Sequence, residues 1–501
     1  GLAAMSLEVA WTRLGAVLLG PSIHAFAWVL AVFLAGVSVG AALERRLRWT
    51  MATGLGLFGL LALLGGLVYG SAPALLAGLF ELLGPAKMGL TEALLAGLTM
   101  GGAPLASGLV FAAALRSARG EGGRATGWVY GVNTLMGVLG SAATGLWLLP
   151  LLGVQGVLVG AAVLLGLGSL ILSRRPWFLL AIAALALAQP GWDGQLYAVG
   201  VYNRVSELGD RSRSGVLAFA HEGWELVSYE DGRSAAVAVG RSTRTGNVWL
   251  SINGKVDAST GDDMPTQVLS GQVPVRMQGH ARRVLVVGLA SGVTAGAVLD
   301  EPGVEELVLV ELEEEVVAAS HHFDHVNGRP LEDARTELRV EDARAVLSRP
   351  GPPFQVIVSE PSNPWITGVS NLFTLEYWRL GRARLGEDGL FCQWIQLYGL
   401  ATSDLRSIVR SFSEVFPRTW LFEPLEGGDV LMMGALGPVE LASLPIAPVL
   451  GPEGVARLAL GAELNTDDRP GVELHAPRAI HLATVEDNQA AIRAAQGGEG
   501  R

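Results

Sequence analysis

Three acidic side chains each follow a short apolar run that is typical of a buried β-strand. Glu311 follows residues 307–310, Asp342 closely follows 338–340, and Glu360 closely follows 355–358. Because the carboxyl ends of parallel strands meet at one edge of an open sheet, we expect these carboxylates to lie at one ligand site. Carboxylates can accept hydrogen bonds from a ligand or remove a proton from it. A helix N-cap explains any one of these acids, but explains three in succession less well.

A glycine-rich turn precedes the first of these acids. The apolar run 284–287 leads into the turn between Gly288 and Gly292, and a helical stretch continues through Leu299. The second strand ends at Glu311, roughly 20 residues after the turn, as in nucleotide-binding βαβ units. Glycines let the backbone approach a ligand, and a carboxylate at this strand end can accept both ribose hydroxyls. The pattern predicts an adenosine site with Glu360 as a reactive carboxylate beside it.

The elements that position this site belong to the second of two chemically different parts of the chain. Half of the 501 residues are hydrophobic, 17% are charged, and the mean hydropathy is +0.40. Residues 1–192 hold 10 Arg/Lys and 5 Asp/Glu, whereas the remainder holds 26 and 42. The contrast indicates a membrane domain before an acidic water-soluble domain, and argues against a purely soluble enzyme and a nucleic-acid partner. The single cysteine, Cys392, excludes a disulfide framework.

The membrane domain is predicted over 1–192, with about six or seven spans of roughly 20 apolar residues each. Predicted spans lie at 1–19, 23–43, 51–70, 88–115, 127–149 and 153–172, with a shorter apolar run at 177–188 and an interfacial or re-entrant helix at 71–84. Because the chain starts at Gly1 without Met, we expect an N-terminal segment to be missing. Glu8 and Arg13 in the first span either contact a headgroup or substrate, or form a structural ion pair.

Three arginine-bearing loops suggest the orientation of the membrane domain. They contain Arg45, Arg46 and Arg48; Arg116, Arg119 and Arg124; and Arg174 and Arg175. The predicted spans place all three loops on one side, which the positive-inside rule makes cytoplasmic. If 177–188 crosses the membrane, the soluble part lies outside, and if it is interfacial, the soluble part stays in the cytoplasm. We expect a multi-pass cell-membrane protein and favour a cytoplasmic soluble part, because run 177–188 is short for a crossing.

The soluble part is predicted to start with a small β-rich subdomain at 193–275. Runs 235–239 and 247–252 read as strands, and the turn signal Asn253-Gly254 follows them. The nucleotide-binding domain is expected over 276–480, and a C-terminal tail over 481–501.

Several ordered motifs resemble the spermidine synthase (aminopropyltransferase) family, and more closely its membrane-fused transporter/spermidine synthase-like branch. They are LSINGKVDASTGDDMPTQVLSGQVP, VLVVGLASGVTAGAVL, VLVELEEEVV, VEDAR, VIVSEPSNPWITGVSNLFTLEYW and GLFCQWIQLY, with EVAWTRL at 8–14 and LNTDDRP at 464–470 similar to the fused branch. The similarity to the family domain covers roughly 195–475. The expected fold is therefore an α-helical transmembrane bundle followed by an α/β Rossmann-like domain of the S-adenosylmethionine-dependent methyltransferase type, with a small N-terminal β subdomain.

The resemblance implies a donor, decarboxylated S-adenosylmethionine or S-adenosylmethionine as co-substrate, and no metal. By this resemblance Gly288 and Gly292 lie against the donor, Glu311 holds its ribose and Asp342 its adenine amino group. Glu360 occupies the position of the family aspartate that deprotonates the attacking amine. The implied substrate-binding residues are Asp257, Gln267, Trp365 and Tyr398, with Trp394 as a further aromatic candidate. A core packing role is the alternative for the aromatic residues.

Three positions depart from the family pattern. Ser291 replaces the aspartate of the glycine-rich turn, Asn363 replaces the second acid of the catalytic loop, and Thr266 replaces a substrate-binding tyrosine. Fewer carboxylates imply weaker attraction for a polyamine. We therefore keep a second hypothesis, in which a transport or membrane-organising protein carries a catalytically degenerate domain that binds a polyamine or nucleoside.

The expected partners are the lipid bilayer and a small-molecule amine or amino-lipid acceptor, and homodimer formation is left open. An amino-lipid acceptor would be presented by the helical bundle, with Glu8 and Arg13 near its path. His321 and His325 are one helical turn apart, but packing or capping explains them better than metal binding.

Overall fold

The computed structural model describes residues 1–118 and 123–497, which form two compact units. The first unit comprises Gly1–Glu222, Tyr229–Ala236 and Asn253–Lys255. The second comprises Gly223–Ser228, Val237–Ile252 and the chain from Val256 onward. The first unit therefore continues past residue 192, where the sequence placed the end of the membrane domain. Arg119 and the end of the predicted tail, 498–501, lie outside the described residues.

The first unit is built mainly from helices, which its long apolar segments favour. They are α1 (Leu2–Leu18), α2 (Ile23–Leu47), α3 (Met51–Tyr69), α4 (Ala72–Leu83), α5 (Met88–Met100), α6 (Gly102–Ala118), α7 (Gly123–Ala143), α8 (Leu149–Ser173), α9 (Trp177–Leu187), α10 (Gly194–Ala198), α11 (Val201–Arg204) and α12 (Arg213–His221).

By length and composition, three helical segments of the described chain can cross a membrane: Ile23–Leu47, Met51–Tyr69 and Gly123–Ser173. A fourth is possible if the pair Ala72–Leu83 and Pro85–Met100, bent by 112°, counts as one broken span. Such a bend also fits a re-entrant loop, as predicted for 71–84. The predicted span 88–115 is not one helix, because α5 ends at Met100 and α6 begins at Gly102.

A break at Gly153 separates the two helical stretches that the sequence predicts at 127–149 and 153–172. Gly153 has φ 66° inside α8, a conformation that glycine adopts without steric cost. The backbone N–H of Val154 then donates to Asp231 Oδ2 at 3.3 Å, so a carboxylate caps the helix that restarts there. Arg13 of α1 is buried and donates to the carbonyl of Arg233 at 2.7 Å. This contact gives Arg13 a structural role within the first unit.

Two of the arginine-bearing turns lie together at one end of the first unit. Arg116, near the end of α6, forms an ion pair with Glu44 and donates to the carbonyl of Trp49 at 2.9 Å. At the same end of α3, Ser169 of α8 donates to the carbonyl of Ala52 at 2.8 Å, a few residues before Arg174. The third turn, which follows α8, is therefore also at this end.

Helix α9 runs along α3 away from this arginine-rich end. Its first residues pack against α3 where Phe178 meets Gly56, and Gln189, just after α9, donates to the carbonyl of Leu63 at 2.9 Å. Tyr197 then donates to the carbonyl of Tyr69, the last residue of α3. The path from Gly56 to the end of α3 is about 20 Å at the helical rise. The chain after α9 therefore lies at the end of α3 that is far from the arginine-rich turns.

Four strands form the small sheet that the sequence predicts, in the order β1-β2-β3-β4. Strands β2 and β3 are antiparallel, with Val239 opposite Leu250. The Asn253-Gly254 turn joins β3 to β4, with φ 51° and 81° at its two residues, as the turn signal predicts. The strands are β1 (Trp224–Asp231), β2 (Ala236–Ser242), β3 (Val248–Ile252) and β4 (Lys255–Ser259).

The larger sheet of the second unit has seven strands. They are β5 (Arg283–Val287), β6 (Glu306–Glu311), β7 (Thr336–Val340), β8 (Phe354–Ser359), β9 (Leu385–Gln396), β10 (Thr419–Leu425) and β11 (Asp429–Ala435). The valine- and leucine-rich runs of the inner strands β5, β6 and β8 are buried, whereas the edge strand β7 is largely exposed. The helices are α13 (Met264–Gln278), α14 (Val293–Leu299), α15 (Glu314–Ser320), α16 (Ala343–Ser348), α17 (Leu375–Arg384), α18 (Thr402–Val415), α19 (Pro452–Ala459), α20 (Gly471–His475) and α21 (Val485–Gln496).

The strand order β10-β11-β9-β8-β5-β6-β7 confirms the Rossmann-like prediction. Strands β5 to β9 pair in parallel, whereas β11 is antiparallel to both β9 and β10. The chain leaves β5 toward β6 and β7, then returns to β8 on the other side. The crevice at such a reversal, beyond the carboxyl ends of β5 and β8, is where open sheets of this kind bind ligands.

Candidate active site

The glycine-rich turn after β5 is tied directly to the carboxylate at the end of β6. Glu311 Oε2 accepts from the backbone N–H of Leu289 at 3.0 Å, and Oε1 accepts from Leu312 at 2.7 Å and Glu313 at 3.0 Å. Burial raises the pKa of Glu311, and these three N–H groups oppose the rise. The bonds fix the carboxylate beside the turn, where the sequence places a ribose site.

Gly288 is required by the close approach of β8 to this turn. Its φ is 96°, and a Cβ at this position would lie 2.6 Å from the carbonyl oxygen of Glu360. The backbone N–H of Glu360 donates to the carbonyl of Val287 at 2.9 Å, which extends the β5–β8 pairing by one residue. The glycine thus brings the candidate base next to the candidate adenosine site.

Glu360 is the most perturbed acid of this site. Burial raises its pKa from 4.5 to about 8, while the hydrogen bond from Thr294 opposes the rise and the carboxylates of Asp429 and Asp263 add to it. Thr294 Oγ1 lies 2.5 Å from Glu360 Oε2 and 2.9 Å from the carbonyl of Gln267. A carboxyl group with a pKa near the working pH can exchange a proton with a bound amine, which general-base chemistry requires.

Ser291 and Gln267 belong to a second hydrogen-bonded cluster, which also includes Asp263. Ser291 donates to Gln267 Oε1, and Gln267 Nε2 donates to Asp263 Oδ2 at 3.0 Å and to the carbonyl of Ser259 at 2.9 Å. Asp263 also accepts from the Ser259 hydroxyl. Position 291 therefore lacks the carboxylate of the family pattern. The side chain of Gln267, however, connects Ser291 to the nearby acid Asp263.

The catalytic loop after β8 contacts the small sheet through Asp257, which accepts from the Ser362 hydroxyl at 2.5 Å. Asn363, in the same loop, is fully buried, and among the described residues neither atom of its side-chain amide has a hydrogen-bond partner. A buried amide without partners is costly and usually marks a site that a ligand or water completes.

The other predicted site residues differ in their exposure to solvent and in their contacts. Asp342 is exposed, and its Oδ1 caps α16 by accepting from the backbone N–H of Ala345 at 2.8 Å, which is the capping role that the sequence kept as an alternative. Trp365 is buried, whereas 42% of Tyr398 is exposed. The structure brings Gln267, Ser291, Glu311 and Glu360 around the glycine turn and leaves Tyr398 as the most exposed of the aromatic candidates.

The sequence interpretation missed three polar residues of this region, Thr294, Asp263 and Asp429. Thr294 follows Gly292 by two residues, and Asp263 directly precedes the Met264-Pro265 start of α13, so helix-start signals could have drawn attention to both. Asp429 accepts from Thr266 at 3.0 Å. Asp429 is the first residue of β11, which is antiparallel to its neighbours β9 and β10. No local sequence pattern predicts that the start of β11 lies at the carboxyl edge of the parallel strands.

The histidine cluster is a surface feature. His321 Nδ1 lies 3.5 Å from Asp324, and the His321 side chain is half exposed. Within the described ranges, no three His, Cys, Asp or Glu side chains are grouped to hold a metal ion.

The motif LNTDDRP, residues 464–470, forms hydrogen bonds and an ion pair with the segments that follow the site strands. Asn465 Nδ2 donates to the carbonyl of Phe373 at 2.8 Å, and Asp467 forms an ion pair with Arg344 of α16. Asp467 also accepts from Thr374, which caps α17. This motif therefore holds the elements just beyond Asp342 and the catalytic loop.

Comparison with known proteins agrees with the geometry. Residues 267–423 match the model of the spermine/spermidine synthase domain. A polyamine aminopropyltransferase of Synechococcus sp. (strain JA-2-3B'a(2-13)) is 35% identical over 192 residues, which cover 37% of this chain and 59% of that protein. A spermidine synthase of Dictyostelium discoideum is 25% identical over 200 residues, covering 40% and 70%.

The chain spans 59 to 62% of the length of three polyamine aminopropyltransferases that it matches. Among solved structures, spermidine synthase from Thermotoga maritima shares 17% identity at a TM-score of 0.40, covering 54% of this chain and 88% of that chain. A spermidine synthase in complex with the transition-state analogue AdoDATO gives 18% identity and the same TM-score, covering 54% and 87%. The part of the chain that carries the candidate site is therefore similar to the spermine/spermidine synthase domain, which the family model matches over residues 267–423.

Proposed function

We propose that the protein is a membrane-anchored aminopropyltransferase, which transfers an aminopropyl or related group from decarboxylated S-adenosylmethionine to an amine or amino-lipid. The observation that carries this proposal is the position of Glu360, a half-buried acid whose pKa is raised by desolvation, beside the glycine turn and Glu311. The family match and the polyamine aminopropyltransferase relatives support the same reaction class.

The residues present fit an adenosyl-sulfonium donor. A carboxylate offers about four acceptor positions, and backbone N–H groups fill three positions on Glu311, so one remains for a ribose hydroxyl. The carboxylate of Asp263, which Gln267 connects to Ser291, adds a negative charge near the turn that would favour a positive sulfonium. Ser291, in the position of the family's donor-binding aspartate, reaches Asp263 only through Gln267.

In the proposed reaction the amine nitrogen attacks the propyl carbon that is bonded to the sulfonium sulfur. A C–N bond forms, the C–S bond breaks, and methylthioadenosine leaves with the electron pair on sulfur. Glu360 accepts the proton that the amine must lose, and Thr294 orients its carboxylate through the 2.5 Å contact. An ammonium ion has no lone pair to attack with, so the base is needed at neutral pH.

The experiment that tests this function incubates the full purified chain with decarboxylated S-adenosylmethionine and a panel of amines and amino-lipids. We expect release of methylthioadenosine, reduced by about 100-fold or more in Glu360→Gln. Release that persists undiminished in the variant would refute the role of Glu360. Absence of binding by any adenosyl sulfonium would refute the reaction class.

We also propose that the residues that follow α9 lie on the side of the membrane opposite to the arginine-rich turns. The supporting observation is the course of α9, which follows α3 from Gly56 to the end that Tyr197 contacts. With the arginine-rich end in the cytoplasm by the positive-inside rule, the chain after α9 emerges on the outer side. Donor and acceptor would then have to reach the domain from that side.

A second candidate function is favoured by the replaced acids and by this placement. With Ser291 and Asn363 where the family has carboxylates, the domain would bind an adenosyl or polyamine ligand for a transport or membrane-organising protein without turning it over. Ligand binding without methylthioadenosine release, together with polyamine flux in proteoliposomes, would support this function over the transferase.

A further inference from the structure

The arginine-rich end of the first unit carries five guanidinium groups that make no contact within the fold. They belong to Arg45, Arg46 and Arg48, at the end of α2, and to Arg174 and Arg175, directly after α8. All five residues are exposed, and among the residues that the structure describes none of these side chains forms an ion pair or a hydrogen bond. We call these five residues the arginine surface.

The one nearby carboxylate does not neutralise the arginine surface. Glu44 is the only acidic residue among the described residues 44–50, 112–118 and 169–177. It is buried and forms an ion pair with Arg116 of α6, which also donates to the carbonyl of Trp49 at 2.9 Å. This pair holds α6 against the turn after α2, and the charge of the arginine surface stays unbalanced.

The two groups of arginines lie at the same end because α3 packs against α8 there. Ser169 of α8 donates to the carbonyl of Ala52 at 2.8 Å, in the first turn of α3. Arg48 lies four residues before Ala52, and Arg174 lies five residues after Ser169, which is about 7.5 Å along the helix axis. Both groups therefore extend beyond this contact in the same direction and can meet a single layer of ligands.

Arg48 and Arg174 adopt a backbone conformation that favours glycine. Each follows the last turn of its helix, α2 or α8, with φ 48° and 58°. This left-handed conformation is strained for a residue with a Cβ, and helices commonly place glycine there. A cation near a helix C-terminus is favourable, but α2 already has Arg45 and Arg46 in its last turn, and Arg175 follows α8. The strained arginines thus indicate a use for the guanidinium groups outside the fold.

The side chains beside the arginine surface fit a lipid layer better than a dissolved polyanion. Ile171 and Leu172, in the last turn of α8, are exposed, and Ile171 is 75% exposed. Trp49 and Trp177 are also exposed and adjoin the two groups of arginines. Tryptophan is enriched where acyl chains meet headgroups, and arginine binds phosphate through two parallel hydrogen bonds. Apolar residues followed by tryptophan and arginine match the order of layers in a leaflet.

We propose that the arginine surface binds the phosphate groups of anionic phospholipids in the leaflet at this end of the first unit. This inference rests on the membrane placement in the proposed function and adds a lipid class to it. An arginine close to an anionic lipid surface increases binding by about fivefold. Removal of two such arginines should therefore weaken binding by about 25-fold.

The test titrates the full chain, purified in a neutral detergent, with phosphatidylglycerol or phosphatidylcholine and follows retained lipid by native mass spectrometry. We expect half-saturation with phosphatidylglycerol at a concentration about 10-fold lower or less. Arg48→Gly combined with Arg174→Gly should weaken phosphatidylglycerol binding by about 25-fold without lowering the melting temperature in detergent alone, because glycine suits both positions. Arg48→Lys combined with Arg174→Lys should recover part of the binding, since lysine keeps the charge but not the planar fork.

The matched control is Arg213→Gln combined with Arg233→Gln, which removes two exposed arginines from the part of the first unit that follows α9. It should leave phosphatidylglycerol binding unchanged. Equal affinity of the wild type for both lipids would overturn the inference, and so would a glycine variant with wild-type affinity for phosphatidylglycerol. Inorganic phosphate that displaces phosphatidylglycerol at equal concentration would also overturn it, because the site would then be one for a free anion.

If the glycine variant does not fold, Arg45→Gln combined with Arg175→Gln decides, and unchanged phosphatidylglycerol binding in that variant overturns the inference. Release of methylthioadenosine is measured on the same preparations to separate this inference from the proposed function. Release without a preference for phosphatidylglycerol refutes only the lipid inference. A preference that depends on the arginine surface, without release, supports the inference and counts against the transferase function.

Discussion

Replacing Glu360 by Gln should make the protein more stable at alkaline pH while abolishing most of its activity. The glutamine keeps an oxygen that can accept from Thr294 but cannot ionise. Because the pKa of Glu360 is raised from 4.5 to about 8 in the folded protein, the native state binds more protons than the unfolded state between these two values. Wild-type stability therefore falls as pH rises through this window, and the variant escapes that loss.

The size of the effect follows from the shift. At 1.36 kcal/mol per pKa unit, the difference between 4.5 and about 8 sets a ceiling of about 5 kcal/mol, fully lost above the folded pKa. For a domain of about 200 residues, each kcal/mol moves the melting temperature by about 2–4 °C. The difference in melting temperature between Glu360→Gln and wild type should therefore grow by about 10 °C or more from pH 5 to pH 9.

The assay follows tryptophan fluorescence of the detergent-solubilised full chain during heating at pH 5, 7 and 9. Glu453→Gln is the matched control, because the side chain of Glu453 is 92% exposed. A separation between wild type and Glu360→Gln that is the same at pH 5 and pH 9 would refute the reasoning. It would mean that the ionised carboxylate is not penalised by burial.

Three further predictions concern the same site and the membrane unit. Thr294→Val removes the hydrogen bond that opposes the raised pKa of Glu360, so the rise of kcat/KM with pH should move to higher pH; an unmoved profile would contradict that role. Gly288→Ala places a methyl group 2.6 Å from a carbonyl oxygen at φ 96° and should cost about 1–3 kcal/mol, measured as a lower melting temperature. In Gly209→Cys, an impermeant thiol reagent should label intact cells from outside, whereas Arg45→Cys should react only after lysis. The reverse labelling pattern would place the synthase-like domain in the cytoplasm.

Several strands of the second unit could be read from the sequence because they are short apolar runs that end at a clear turn. The runs before Glu311, Asp342 and Glu360 form β6, β7 and β8 of one sheet, in which β5 lies between β8 and β6 and all these pairs are parallel. Hydrophobicity and turn chemistry are local properties, and they decide where a strand ends. The Asn253-Gly254 turn is predictable for the same reason, since both residues adopt positive φ at low cost.

The membrane unit was less predictable because apolar composition does not distinguish a span from a shorter buried or re-entrant helix. The run 88–115 is interrupted at Gly101, and the run 177–188 forms an eleven-residue helix that packs along α3. Only that packing gives the direction of the chain after α9. The contact between Arg13 and the carbonyl of Arg233 joins residues 220 positions apart, which no local pattern reveals.

The sequence by itself determined the strands that lead to Glu311, Asp342 and Glu360, the glycine turn and the position of Glu360 near a strand end, because these depend on local backbone preferences and hydrophobic runs. Only the tertiary structure decided how these groups act together. Burial of Glu360 against Thr294 raises its pKa, and the antiparallel β11 brings Asp429 to the same edge. Electrostatic environment depends on which distant segments exclude water from a side chain, and that is a property of packing rather than of neighbouring residues.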